Sequence, residues 1–415
     1  MKISKFFLLL FSLSVLFTAC DKDDDDQPQD ITVQGGDVSG VWKKNSTITV
    51  MGHIQVPAGQ SLTIEEGVTV LMADTAIGQE ILVFGNFYSK GTASNPITIT
   101  VPSNLRKPGE FPRIWGGIIC APSCKEVLLQ YTEIAYTGYV TTEDSPSVLA
   151  GLFKGAAGEG LPALNFRNEV DGKVVVDHCT FHNIGEDGMY MEGGNYIITN
   201  NVIYTQGETG GDAINLKSGS VADIAYNFVY SPNTNALKLS NSGDRVPQCE
   251  PVCYNNTIVN GGWRRPSVKG GGVWLEESVN AGIYNTLHVN CRFGVKFSKA
   301  DDRCVYDNSY YYGFDQETVD NFQASTKDVV RGPHDVGGTL AGENDPLLVN
   351  YPLNTDKYNA TFNTSWNFHL NPGSPAIGAG TTAFIRHFGT TGLTLDGKAY
   401  TSPAPSTTIG AYGVN

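Results

Sequence analysis

The stretch Ala213-Ile214-Asn215-Leu216-Lys217 sets a small residue ahead of two apolar positions that alternate with polar ones, and the chain repeats this frame five more times. The copies are Ala163-Leu164-Asn165-Phe166-Arg167, Gly188-Met189-Tyr190-Met191-Glu192, Ala236-Leu237-Lys238-Leu239-Ser240, Gly272-Val273-Trp274-Leu275-Glu276 and Gly294-Val295-Lys296-Phe297-Ser298. Alternation with period two marks a strand with one face on a core and the other facing outward. The copies recur every 22 to 36 residues. Self-similarity at that spacing means units that bury a shared core by stacking, with the length variation carried in loops. The longest insertion, Gly261 to Lys269, is expected to project beside the stack.

Between these strands runs a second register, in which Cys179-Thr180-Phe181, Asn201-Val202-Ile203, Asn227-Phe228-Val229, Asn256-Thr257-Ile258 and Asn285-Thr286-Leu287 superpose, with Asn308 continuing the series. Stacked units would bring these asparagines into a ladder of side-chain amides. Cys179 on its first rung suits a buried free thiol. Leucine-rich repeats and a propeller are the alternatives; neither accounts for the asparagine series or the absence of helical periodicity.

Further segments extend the pattern. Val56-Pro57-Ala58-Gly59-Gln60-Ser61-Leu62-Thr63-Ile64-Glu65-Glu66-Gly67, Gly91-Thr92-Ala93-Ser94-Asn95-Pro96-Ile97 and Trp115-Gly116-Gly117-Ile118 read as opening rungs. Asp345-Pro346-Leu347, Ser374-Pro375-Ala376-Ile377 with Gly380, Asp396-Gly397 and Ile409-Gly410-Ala411-Tyr412 read as a closing segment. Together with the repeats they resemble the pectin-lyase-like right-handed parallel β-helix family, from about Val38 to Tyr412. The resemblance implies an all-β solenoid, and such a fold hosts many functions.

The chain starts with Lys2 and Lys5, an apolar run from Phe6 to Phe17, and then Thr18-Ala19-Cys20. That run is short for a membrane span and reads as a signal peptide. The small residues ahead of Cys20 resemble the lipobox of bacterial lipoproteins, with Phe17 where leucine is usual. A secreted protein cut near Ala19 is the alternative. Lipidation of Cys20 would anchor the protein to the outer membrane. The run Asp21-Lys22-Asp23-Asp24-Asp25-Asp26 has nothing to bury and reads as a tether; it also resembles the acidic tract of surface-exported Bacteroidetes lipoproteins. The expected divisions are therefore leader 1–19, tether 20–37, β-helix 38–340 and closing segment 341–415.

A net charge of −14, more negative once Lys2 and Lys5 leave with the leader, argues against nucleic acid as a partner. With eight cysteines in an oxidising compartment, and Cys20 carrying lipid, the spacings suggest the pairs Cys120 with Cys124, Cys249 with Cys253, and Cys291 with Cys304. Zinc is the other reading of two such pairs, but no histidine cluster accompanies them.

Successive rungs about 4.8 Å apart match one sugar unit, so the outward columns are the place to look for chemistry. One column is Asn165, Tyr190, Asn215, Lys238, Trp274 and Lys296; the next is Arg167, Glu192, Lys217, Ser240, Glu276 and Ser298. Tyr190 and Trp274 can stack on a sugar face, and Lys238, Lys296, Arg264, Arg265 and Lys269 can hold acidic groups. Arg167, Glu192 and Lys217 also fit an ordinary charge ladder. Asp187, Asp212 and Asn235 each precede their strand and so stack on three rungs, where two carboxylates must share a proton or a cation. Turn preference alone could place them there. The family resemblance implies calcium on such acidic residues, with Glu186 or Glu208 adding oxygens. For β-elimination, Lys238 is the candidate base and Asp187 with Asp212 would hold the metal; for hydrolysis the two aspartates have the spacing of a retaining pair. His178 and His182 read as packed residues. The expected function is polysaccharide binding or adhesion at the cell surface; the alternative is a polysaccharide lyase or glycoside hydrolase.

Overall fold

A computed structural model describes residues 27–107, 109–208, 210–265, 270–324 and 328–414. Among these residues the chain winds through three sheets of twelve, eleven and ten strands, each coil giving one strand to each sheet in turn; pairing is parallel throughout except at the end of the second, where Val329–Val330 runs antiparallel to Val295–Ser298. This is an all-β, right-handed parallel β-helix. Its core is the inward alternation of the repeat: Leu164, Met189, Ile214, Leu237, Val273 and Val295 lie over one another in the second sheet and are all buried. The expected outward column is also in register, from Asn165 through Tyr190, Asn215, Lys238 and Trp274 to Lys296.

The asparagine ladder forms over Asn201, Asn227 and Asn256. Each Oδ1 accepts from both the backbone N–H and the amide of the residue one rung earlier, at 2.9 to 3.1 Å, and Cys179 N–H joins at 2.9 Å. Beyond Asn256 the expected superposition is one residue out. Thr257 pairs with Leu287, so Thr286 lies over Asn256. Asn285 instead extends a neighbouring stack of left-handed residues, Asn200 (φ 58°), Tyr226 (56°), Asn255 (51°), Asn285 (51°) and Asn308 (53°), at the corner entering the first sheet. Asparagine tolerates that conformation, so both stacks favour the same residue type and sequence spacing does not separate them.

The N-terminal boundary of the solenoid shifts, and the closing segment takes a different course. Ile31–Val33 pairs with Thr47–Val50, so the solenoid begins within the segment expected as tether. Residues beyond 341 do not close the end of the stack but return along its side. Leu348, Tyr351, Phe368 and Leu370 cover outward Phe228, Tyr230, Leu287 and Tyr310 of the first sheet. Phe388, Leu393 and Leu395 then cover Tyr88, Leu128, Val175 and Ile197 of the third. Buried Asp223 fastens this strap, accepting from His387 N (3.0 Å), Phe388 N (2.8 Å) and Ser402 Oγ (2.6 Å). Apolar residues at outward positions need such a cover to leave water.

The expected disulfides are not formed: Cys120, Cys124, Cys179, Cys249, Cys253, Cys291 and Cys304 are all free thiols. Six are buried, and they serve as small apolar fillers of the stack. Cys20, the acidic run and Lys269 lie outside the described residues.

Candidate active site

The strands Met189–Met191, Ile214–Leu216, Asn235–Ser240 and Gly271–Glu276 of the second sheet floor a cleft of about 830 Å³. Of the residues expected in a site, Asp187, Tyr190, Asp212, Lys238, Arg265 and Trp274 all line it, joined by Asn215 and Lys217.

Asp187 and Asp212 sit where the chain enters consecutive strands, and each carboxylate reaches forward by one rung. Asp187 Oδ1 accepts from Asp212 N at 2.7 Å; Asp212 Oδ1 accepts from Asn235 N at 3.1 Å and from its amide at 2.7 Å. The Asn215 amide bridges the pair, 2.9 Å from Asp187 Oδ2 and 3.3 Å from Asp212 Oδ2. Burial, and then the charge of Asp187, push the Asp212 carboxyl up to about 7. Burial also raises Asp187, against hydrogen bonds from Asp212 N–H and Asn215 and the charges of Lys238 and Lys217. Two such acids titrate as a unit, so near neutrality they hold one proton between them. The charge of Asp187 is itself one of the causes that raise Asp212, which assigns the shared proton to Asp212.

The lysines frame this pair. Lys217 lies over the Tyr190 ring at 5.4 Å, its basicity lowered by burial and then by Lys238. Lys238 stands 5.2 Å over the Trp274 ring and 3.4 Å from Glu276. That contact engages Lys238 as a cation, contrary to its expected role as a base. The charge ladder is also not built: Glu192 pairs with Arg245 at 3.4 Å, while Lys217 turns into the cleft.

Of the residues expected to hold glycan, Arg264 and Lys296 are turned to other partners and Trp274 is largely covered. Arg264 is spent on structure, donating to the carbonyls of Gln206 (2.6 Å), Gly207 (2.7 Å) and Ser231 (2.8 Å) with its guanidinium over Phe111. It lies in the insertion expected to project, yet Gly261 to Trp263 are buried, and Trp263 Nε1 donates to Asn290 O at 2.7 Å. Lys296 lies against Phe293 at 4.6 Å and is not among the cleft-lining residues. Trp274 lines the cleft but is only 5% exposed, so its face serves Lys238 before any sugar.

The donors expected for calcium do not fit that ion. Glu186 and Glu208 are drawn away to Arg113, at 3.1 and 3.2 Å. The aspartate oxygens accept from amides, Asn235 presents its amide N–H to Asp212, and two ammonium groups border the pair. No group of three or more His, Cys, Asp or Glu side chains suited to a metal ion occurs among the described residues. His182 is packed, stacked on Tyr204 at 5.0 Å and 3.2 Å from Glu133; His178 stacks on Tyr131 at 4.7 Å.

One wall was not legible in the sequence. The segment from Thr141 to Leu161 carries a short helix, Pro146–Leu149, and brings Phe153, Lys154 and Glu159 to the cleft. Glu80, wholly buried, accepts from Ser147 N at 2.8 Å and ties the helix to the solenoid. This segment lacks the alternating frame, so nothing in its pattern assigns it a face.

The family model described as right handed beta helix region matches residues 155–321, the part of the chain that contains the cleft floor. No curated protein and no solved structure matches the chain. The match fits a fold shared by carbohydrate-binding proteins and pectate-lyase-like enzymes.

Proposed function

We propose that the protein is an enzyme that cleaves an extracellular polysaccharide by acid-base catalysis at Asp187 and Asp212. The observation that carries this reading is the closely placed carboxylate pair at the floor of a cleft, Asp212 buried and Asp187 half-buried, bridged by Asn215, with Asp212 pushed up to about 7. Perturbed acids in a cleft are the usual mark of proton-transfer chemistry. The expectation of binding alone rested on the lack of a dense cluster of acid, base and cation on adjacent rungs. Asp187, Asp212, Lys217 and Lys238 make such a cluster.

In this scheme Asp212 gives its proton to the glycosidic oxygen as that bond breaks, and Asp187 stabilises or attacks the anomeric carbon; water completes hydrolysis and restores the proton. Because both carboxylates reach one Asn215 amide, they are closer than the pair of an inverting enzyme, and retention of configuration follows. Lys217, Lys238 and Arg265 favour an acidic sugar, which the net negative charge would otherwise repel. Lipid attachment at Cys20 would hold the enzyme at the outer membrane, where such polymers are met.

The test is incubation of the purified protein with polygalacturonate, alginate, chondroitin sulfate, xylan and arabinan, with and without EDTA, following reducing ends and the ultraviolet absorbance of unsaturated ends. Reducing ends without unsaturation, unaffected by EDTA and lost in Asp212→Asn, are expected. Unsaturated products would instead favour elimination, with Lys217, whose basicity burial lowers, as the base. Retarded migration in a glycan gel with no turnover would leave the binding reading.

A further inference from the structure

We infer that the cleft takes the end of a glycan chain, not its middle, because the segment from Thr141 to Leu161 blocks the outward face of the solenoid on one side of the acids. The inference rests on the glycan-cleaving reading above.

The outward column that reaches Tyr190 continues toward the N-terminus as Asn165, Ile119 and Leu82, one residue per rung. A polymer lying along the axis would have to cross these three positions. All are covered: Leu152, Leu161 and Phe153 pack onto Leu82, Ile119 and Ala121, and Asn165 is fully buried with its amide donating to Tyr190 O at 3.0 Å. The face opens only at Tyr190, which is partly exposed, and there Phe153 stands edge-on to its ring at 5.1 Å.

The cover is built as a wall. Glu80 holds Ser147 from below, and Val140 bridges Gly160 in antiparallel fashion. Thr141 Oγ1 donates to Ala156 O at 2.8 Å, and Lys154 pairs with Glu159 at 2.5 Å. From Tyr190 to Trp274 the floor spans three rung intervals, roughly 14 Å or about three sugar units. Its volume is that of a pocket that encloses a small ligand, not of a long groove. A chain would therefore enter with one end against Phe153 and Tyr190, and cleavage at the acids would release a short piece.

The test follows viscosity and product length together on the same five polymers. Expected are products of about three sugar units or fewer from the earliest time, with reducing ends accumulating while viscosity barely falls. Phe153→Ala should raise KM roughly two- to tenfold and lengthen the released piece, as loss of one aromatic contact implies. A ladder of intermediate lengths with early collapse of viscosity would overturn the end-on mode and leave the glycan-cleaving reading standing. Absence of reducing ends on every polymer would instead overturn that reading itself.

Discussion

Asp212 joins the chemistry of the cleft to the stability of the fold. Its carboxyl is raised from the ordinary value of 3.8 to about 7, so between these limits the folded chain binds more protons than the unfolded one. Stability from this group is complete below about pH 4 and is lost as pH rises through about 7. Asp212→Asn should flatten that fall and melt higher than the wild type at pH 8, as read by thermal denaturation. The same substitution removes the acid, and kcat should drop at least about 100-fold. In the wild type, kcat/KM should decline above about pH 7, where the pair loses its shared proton. Asn227 shows a purely structural role. Asn227→Ala strips acceptors from the Asn201 backbone and amide and removes the amide donor to Asn256 Oδ1 and Ile198 O, so a loss of about 2–4 kcal/mol is expected in urea unfolding.

At the level of elements, the C-terminal strap is an independent stabiliser of two sheet faces. Asp223 receives three hydrogen bonds from it in a buried position, and Asp396 pairs with Lys90 far down the stack. Asp223→Ala leaves those donors unpaired, which costs about 1–3 kcal/mol each where no water enters. Limited proteolysis should then cut between residues 386 and 402 before the solenoid is attacked. Protection equal to that of the wild type would show that apolar packing alone holds the strap. The segment from Thr141 to Leu161 is its counterpart at the cleft, since it covers the rungs of Leu82 and Ile119 and stands Phe153 against Tyr190, where the cleft starts.

Across the whole molecule, the proposed site belongs to the stacking itself, because groups 25 residues apart in sequence become neighbours separated by one rung. The leader expected over residues 1–19, with Cys20 as the proposed lipid site, adds a prediction of location: Cys20→Ala should move the protein from the membrane fraction to the soluble one, with the proposed activity unchanged. The repeat, its inward and outward faces and the vertical alignment of Asp187, Asp212 and Asn235 could be read from sequence, because a side-chain period of two and a repeating frame leave one consistent stacking. The order of the asparagine stacks beyond Asn256, the withdrawal of Arg264 and Lys296 from the cleft, the burial of Trp274 and the wall carrying Phe153 could not. Each of these depends on which loop lies over which face, and loops carry no period. Folding also set the protonation of Asp212, since a carboxyl's affinity for its proton depends on the water it loses and the charges it meets, and both are known only once the chain has closed around it.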